Sequence, residues 1–145
     1  MPMDDEVLVE YGVFGLMDLD VDGCPRPWPQ EPLSTDAVTA IQNRVDIPSA
    51  ARDHVAAVQL ETAADEPPAA EDAEEVELIL TSGEVRLWSV TMGPSARTFT
   101  VGPPGRYRLR VACEGRDEAA ALSAAGRPVP DGTERYRLQF WPVSR

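Results

Sequence analysis

The chain has few of the residue types on which catalytic and metal sites depend. Its 145 residues include no lysine, one histidine and two cysteines. Cys24, Cys113 and His54 lie far apart in the sequence and lack the spacing of a zinc site. A catalytic His54 would need a partner nucleophile or carboxylate, and the sequence nominates none. We therefore expect a non-enzymatic protein without a cofactor, and we keep an enzyme as the least favoured hypothesis.

Long apolar runs are also missing. No stretch approaches the roughly 20 apolar residues that a membrane-spanning helix needs. The first residues, Met-Pro-Met-Asp-Asp-Glu, lack the basic and apolar regions of a signal peptide. We expect a cytoplasmic protein that does not contact a membrane and whose two cysteines are free thiols.

The charge of the chain is strongly one-sided. All thirteen basic residues are arginine, 25 residues are acidic, and the net charge is −12. Residues 1–85 hold 20 of the acids and three arginines, whereas residues 86–145 hold five acids and ten arginines. A negative field repels phosphate backbones and attracts basic proteins, so direct nucleic-acid binding is disfavoured. The alternative is that the charge serves only solubility.

Polar and apolar residues alternate in the last third of the chain. In 105–114 arginines alternate with Tyr107, Leu109 and Val111, and a similar pattern covers 135–141. The outward positions form an arginine row, namely Arg106, Arg108, Arg110, Arg135 and Arg137. The row is either a ladder of ion pairs on a solvated sheet face or a recognition surface, since arginine is frequent among interface anchors.

Other segments also have the period-two pattern of strands, namely 7–14, 54–62, 75–81, 84–92 and 97–101. We predict that the first is one strand bent by a bulge at Gly12 or Gly15, with Tyr11 on the same face as Val9. Ser82-Gly83 is predicted to join the strands before and after it into a hairpin.

One short helix is predicted at 35–44, because Ser34 is a suitable N-cap and Val38 and Ile41 share one helical face. Residues 116–133, rich in alanine, glycine and proline, are predicted to be a long connection. About seven strands and fourteen prolines favour an antiparallel two-sheet β-sandwich. We expect a mainly β, single-domain protein over 1–145, with a flexible acidic loop at 63–72.

A cluster of aspartates resembles the start of a calcium-binding loop. Asp18, Asp20 and Asp22 alternate before Gly23, as the first three carboxylate ligands of such a loop do. The twelfth position, where glutamate is expected, is Pro29. A small-ligand-binding or Ca²⁺-binding β-sandwich that uses these aspartates is therefore the alternative functional hypothesis.

Four segments together resemble a known set of proteins. They are Val-x-Val-x-Tyr-Gly-x-Phe at 7–14, the acidic strand at 74–80, Pro-Gly-x-Tyr-Arg-Leu-Arg-Val at 104–111 and Tyr-x-Leu-Gln-Phe-Trp-Pro at 136–142. This combination resembles uncharacterised bacterial β-sandwich proteins that are similar to the competence protein J family of DNA-entry nuclease inhibitors. The resemblance implies a small β-sandwich that acts by binding a protein, which for the inhibitors is a nuclease.

The acidic stretch is consistent with this implied role as an immunity or inhibitor protein. A nuclease has a basic substrate groove, and carboxylates can occupy such a groove and speed association. The predicted acidic face that engages a basic partner consists of Glu71, Asp72, Glu74, Glu75 and Glu77. The aspartates at 18, 20 and 22 form a second acidic patch.

Overall fold

The computed structural model describes residues 2–28, 33, 36–70 and 72–143. Within these residues the chain forms eleven strands, one α-helix and a 3-10 turn at Val21–Gly23. The strands are β1 (Met3–Val9), β2 (Val13–Asp18), β3 (Thr39–Ile41), β4 (Arg44–Pro48), β5 (His54–Thr62), β6 (Glu74–Leu80), β7 (Glu84–Ser89), β8 (Gly93–Pro94), β9 (Phe99–Thr100), β10 (Gly105–Glu114) and β11 (Arg135–Pro142). The helix is α1 (Arg116–Ala124). None of the helical segments described is long and apolar enough to span a membrane.

The strands form two sheets. The first sheet has the order β1-β5-β11-β10-β6, and the second has the order β3-β4-β2-β7-β8, with β9 also paired to β7. This arrangement confirms the mainly β, two-sheet class, with more strands than predicted because several are only two to five residues long. Every pair is antiparallel except β5 and β11, which run parallel.

Inward-facing side chains from both sheets build the main core. Leu16 from the second sheet and Leu109 and Leu138 from the first are fully buried in the same apolar cluster. The rings of Phe14 and Tyr136 meet edge to face across the two sheets, with their centroids 4.9 Å apart. Alternation in β5, β10 and β11 places one face against the core and leaves the other for charged side chains, whereas β2 and β4 are buried on both faces.

The predicted helix at 35–44 is wrong. Residues 39–48 form the β3–β4 hairpin, which turns at Gln42-Asn43, and Asn43 adopts a left-handed φ of +66° that no helix interior tolerates. Ser34 and Thr35 lie outside the described residues. The helix of the structure, α1, lies instead within the predicted connection 116–133. Asp117 and Glu118 in its first turn and the alanines after them favour helix formation there.

The prediction of one bent strand at 7–14 is also wrong. Tyr11 and Gly12 form a two-residue turn with φ values of +56° and +76°, so β1 and β2 are separate strands of different sheets. The amide of Val13 donates to the carbonyl of Glu10 and closes this turn at 3.1 Å. Tyr11 consequently leaves the strand face that it was expected to share with Val9, and its side chain is 62% exposed.

Ser82-Gly83 does not produce the predicted hairpin. Strand β6 pairs with β10 in the first sheet, whereas β7 pairs with β2 in the second. The turn carries the chain from one sheet to the other, with Gly83 at a φ of +86°. A β-carbon on Gly83 would lie 1.9 Å from the carbonyl oxygen of Gly102, so only glycine fits this crossing.

Candidate protein-binding surface

The outer face of the first sheet carries the arginine row. Strand β10 places Arg106, Arg108 and Arg110 on this face, and β11 places the other two there. Four of the five arginines pair with a carboxylate: Arg106–Glu77 at 3.2 Å, Arg110–Glu75 at 3.0 Å, Arg135–Glu114 at 2.7 Å and Arg137–Glu61 at 2.6 Å. The geometry is that of an ion-pair ladder, because each of these four arginines reaches a glutamate on a neighbouring strand.

Most of this ladder is exposed to solvent. Hydrogen bonding to Arg137 holds the pKa of Glu61 below its usual value despite partial burial. Exposed pairs of this kind contribute only about 0–1 kcal/mol each, because water and salt screen them. The ion pairs therefore leave little net charge on this face for a partner protein to bind.

Arg110 differs from the rest of the row because its side chain is buried. Its Nη1 donates to the carbonyl oxygens of Pro68, at 2.6 Å, and Pro67, at 3.3 Å. Its guanidinium carbon also lies 5.2 Å from the centroid of the Trp141 ring. The middle of the acidic segment 63–72 thus lies over Arg110 and the sheet. The flexibility of this segment stays a prediction.

The predicted acidic face is divided by the alternation of β6. Glu75 and Glu77 point to the outer face, where Arg110 and Arg106 pair with them. Glu74 points the other way and accepts a hydrogen bond from the amide of Val38 at 3.2 Å. Asp72 lies in the turn before the strand with a φ of +56°, and Glu71 lies outside the described residues.

The aspartates of the calcium-like loop are engaged by the backbone. The carboxylate of Asp18 is buried and accepts hydrogen bonds from the amides of Asp20, at 2.8 Å, and of Ser82 and Gly83, both at 3.0 Å. These bonds hold the end of β2 to the crossing between the two sheets. Asp22 is exposed in the 3-10 turn.

The side chains next to Asp18 complete a closed hydrogen-bond network. Asp20 accepts a hydrogen bond from the Thr81 hydroxyl at 2.6 Å, and the Asn43 side chain donates to that hydroxyl at 2.6 Å and accepts from the Thr81 amide at 2.9 Å. We call this part of the sandwich, formed by Asp18, Asp20, Asn43 and Thr81, the closed end. Among the described residues no three His, Cys, Asp or Glu side chains converge on a metal-sized space. A Ca²⁺ site here remains a hypothesis without support from the geometry.

A second buried polar cluster surrounds the single histidine. The hydroxyl of Ser49 lies 2.9 Å from His54 Nε2 and donates to Glu134 Oε1 at 2.5 Å. The hydroxyl of Tyr136 donates to the same carboxylate at 2.9 Å, and the Ala50 amide donates to it at 3.0 Å. Sequence inspection missed this cluster because Ser49 and Glu134 lie 85 positions apart.

The cluster does not have the geometry of a catalytic triad. Glu134 lies 3.3 Å from Nε2 of His54, the same nitrogen that Ser49 contacts, whereas the acid of a triad orients the opposite nitrogen. Ser49 and Glu134 therefore both lie on the Nε2 side of the ring, and the donor and acceptor roles at this nitrogen depend on the tautomer of His54. Nδ1 is buried, with no partner among the described residues.

Burial and hydrogen bonding act in opposite directions on the acidity of this cluster. Burial alone would raise the pKa of Glu134, but the hydrogen bonds from His54, Ser49, Ala50 and Tyr136 outweigh it and lower the pKa. Burial raises the pKa of the nearby Cys113 thiol to about 11. Burial also raises the pKa of Cys24, and both cysteines are free thiols. The cluster therefore resembles a structural network that ties β4, β5 and β11 together.

The fold and these clusters define a two-sheet β-sandwich with an ion-pair ladder on the outer face of one sheet and a buried polar cluster around its histidine. No family model and no curated protein sequence matches the chain. Two solved structures share its fold. One is ComJ from Bacillus subtilis, an inhibitor of the DNA-degrading activity of NucA, with a TM-score of 0.60, 14% identity and coverage of 97% of this chain and 96% of that one.

The second similar structure is the product of crocagin biosynthetic gene J. It has a TM-score of 0.60 and 17% identity and covers 99% of each chain. At these identities the likeness concerns the fold, which extends over the whole chain in both cases. The fold likeness to ComJ confirms the resemblance inferred from the four sequence segments.

Proposed function

We propose that this chain is a non-enzymatic protein-binding module that inhibits a basic partner protein, with a nuclease as the favoured target. The observation that carries the proposal is the fold. The chain aligns over 97% of its length with ComJ, whose known role is to inhibit the DNA-degrading activity of NucA. We place this role in the cytoplasm, as the sequence predicts.

The charge of the chain supports such a partner. With a net charge of −12, the protein attracts basic surfaces and repels nucleic acid. A nuclease must offer a positive groove to its substrate, and an acidic protein competes for the same groove. Long-range attraction of this kind mainly raises the association rate.

The arrangement around His54 supports a role without catalysis. The imidazole is buried, and Ser49 and Glu134 both contact its Nε2, whereas Nδ1 has no partner among the described residues. In a catalytic triad the acid instead orients the ring nitrogen opposite the one that faces the serine. We therefore assign no reaction to this cluster.

The predicted acidic face remains our proposal for the charged part of the contact. Glu75 and Glu77 each have an arginine partner within the chain, so a basic partner would exchange one cation for another. Such exchange yields little net affinity. These carboxylates are expected to act mostly by adding to the negative electrostatic field that attracts a basic protein. Glu71, Asp72 and Glu74 complete the set.

The test is inhibition of DNA cleavage. Extract from cells that make the protein is passed over a cation exchanger, and the retained basic fraction is assayed for DNA degradation with increasing amounts of the protein. We expect inhibition that is strong at about 50 mM salt and weak at about 500 mM, because screening shortens the range of the attraction. A variant with glutamine at 71, 74, 75 and 77 and asparagine at 72 should inhibit more slowly. Absence of both inhibition and a salt-sensitive complex with any basic protein would contradict the proposal.

A further inference from the structure

Tyr11 occupies a backbone position that suits a different residue. Both central residues of the Tyr11-Gly12 turn have positive φ, the pattern of a type I′ turn. The first position of this turn strongly favours asparagine, because a bulky side chain at positive φ is strained. The strain at Tyr11 therefore has no explanation in the local sequence preference of the turn.

The fold does not use the Tyr11 side chain either. The ring is 62% exposed, and the turn is held through backbone groups. The Tyr11 amide approaches Asp53 Oδ1 at 3.4 Å, and the Gly12 amide donates to the Arg52 carbonyl at 2.9 Å. An exposed aromatic ring on a strained backbone indicates a role outside the fold, since such strain concentrates at functional sites.

A second exposed apolar side chain lies on the adjacent turn. Met92, in the turn between β7 and β8, is 71% exposed. The Glu10 carboxylate joins the two turns, because it accepts hydrogen bonds from the amide and the hydroxyl of Thr91. Tyr11 and Met92 thus project from neighbouring turns that one side chain holds together. We call this feature the turn end.

Two acids flank the turn end, and they favour a basic partner. Burial would raise the pKa of Glu10, but hydrogen bonds from Thr91 and Met92 lower it, so the carboxylate stays ionised. Asp53 makes one long hydrogen bond to the Tyr11 amide. Neither acid forms an ion pair with a described residue, unlike Glu75 and Glu77. Arg52, exposed beside Asp53, adds a single positive charge.

Strand addition at the neighbouring edge is not the mode of contact. The free edge of β1 is occupied by side chains of the chain itself. The Ser89 hydroxyl donates to the Leu8 carbonyl at 2.6 Å, Arg97 donates to the Asp4 carbonyl, and Asp5 accepts the Glu6 amide at 2.8 Å. A partner strand would have to displace these groups. The turn end is the part of this region that is free to engage another surface.

We propose that the turn end, with Tyr11 and Met92 as apolar anchors and Glu10 and Asp53 as its acidic rim, is the contact that docks into an apolar recess with a basic rim on the partner protein. Tyrosine and methionine are enriched at the centres of interfaces, and tyrosine is frequent among hot spots. This inference rests on the proposed function and assigns its short-range part. Anchors govern dissociation, whereas the distant acids of β6 govern approach.

The test uses three single variants in the DNA-cleavage assay with the basic protein fraction. Tyr11→Asn removes the ring and supplies the residue that the turn prefers, so its melting temperature should be equal to or above that of the wild type. Met92→Ala truncates the second anchor. Val21→Ala is the matched control, because Val21 is 43% exposed and lies beyond the other end of β2.

For the same inhibition, we expect Tyr11→Asn and Met92→Ala to be needed at concentrations at least about tenfold higher than the wild type. Val21→Ala should inhibit as well as the wild type. When each variant is immobilised on a surface, the basic protein should dissociate faster from Tyr11→Asn and Met92→Ala than from the wild type. Equal inhibition by wild type and Tyr11→Asn would overturn the anchor assignment and leave the proposed function standing. Failure of the wild type to inhibit or bind any basic protein would overturn both. A wild-type dimer that Tyr11→Asn abolishes in sedimentation would assign the turn end to self-association instead.

Discussion

The two ends of β2 present the same backbone feature in opposite settings. At the closed end, Asn43 adopts a φ of +66°, and at the turn end, Tyr11 adopts a φ of +56°. Asparagine is among the residues that tolerate this conformation, and the Asn43 side chain is fully buried with Thr81 and Asp20 as partners. Tyrosine is poorly suited to it, and the Tyr11 side chain faces solvent. The fold accounts for the first residue and leaves the second unexplained.

The difference between Asn43 and Tyr11 indicates where a functional surface can be sought in a chain without a recognisable motif. Acidic clusters at the closed end and on β6 attract attention in the sequence, yet their carboxylates bond within the molecule. The turn end has an unremarkable sequence and breaks a local rule. Rules are broken without compensation mostly at functional or strained sites.

Among the variants that compare the two ends of β2, a substitution of Asp18 at the closed end is expected to change stability most. Asp18→Ala leaves three backbone amides, one buried and two partly buried, without their acceptor, and we expect a loss of about 3 kcal/mol in the free energy of unfolding. Urea denaturation measures it, with exposed Asp22→Ala as a control that should stay within about 0.5 kcal/mol. A melting temperature that rises with added Ca²⁺ in the wild type but not in Asp18→Ala would show instead that Asp18 binds metal.

The cysteine near the His54 cluster offers a kinetic test of how tightly that cluster is packed. Because the pKa of Cys113 is raised from 9.0 to about 11, its thiolate fraction near pH 8 should be about a hundredfold below that of an ordinary thiol. Iodoacetamide labelling followed by mass spectrometry of the Cys113 peptide should show this slow rate in the native protein and a normal rate in urea. Rapid native labelling would mean that the cluster opens readily.

A matched pair of alanine variants compares the two strained residues directly. Asn43→Ala and Tyr11→Ala both place alanine at positive φ. Asparagine tolerates this conformation better than tyrosine does, so the backbone cost and the lost side-chain contacts both make Asn43→Ala the more destabilising change. We expect Asn43→Ala to lose about 2 kcal/mol, since it deletes buried hydrogen bonds, and Tyr11→Ala to change stability by less than about 0.5 kcal/mol. Similar losses in the two chemical denaturation curves would mean that the Tyr11 ring contributes to the fold after all.

The smallest effect concerns pH. The pKa of Glu134 is lower in the folded state than its ordinary value of 4.5, so its ionised form stabilises the fold above that value. This stabilisation is lost as the pH falls below 4.5 and through the folded pKa. Unfolding free energies measured between neutral and acidic pH should therefore fall less steeply in Glu134→Gln than in the wild type. Parallel pH profiles would show that the pKa of Glu134 is the same in the folded and unfolded states.

The sequence predicted the elements that repeat a two-residue period. Strands β5, β6, β10 and β11 lie where the alternation places them, and their register brings Arg110 opposite Glu75. The β3–β4 hairpin was missed because the spacing of Val38 and Ile41, three residues apart, fits one face of a helix and does not reveal the turn at Gln42-Asn43. Helix α1 was missed although its acidic first turn and alanines are visible in the sequence.

Contacts between distant segments could not be predicted. The parallel pairing of β5 and β11 and the meeting of Ser49 with Glu134 depend on which sheet each strand joins. Local alternation gives the two faces of a strand but not its neighbours, so the hairpin prediction at Ser82-Gly83 was wrong. The turn end could be recognised only from the positive φ of Tyr11, and the pattern of residue types does not reveal this angle.

The pairing of β5 with β11 also has a consequence for how the molecule is made. Strand β11, which contributes Phe140 to the core, lies between β5 and β10 in the first sheet, so the complete sheet cannot form until β11 has left the ribosome. Topologies dominated by such distant pairings fold slowly, in milliseconds to seconds. During that interval β1 and β5 have no finished sheet to join, and the abundant negative charge of the first 85 residues keeps nascent chains apart.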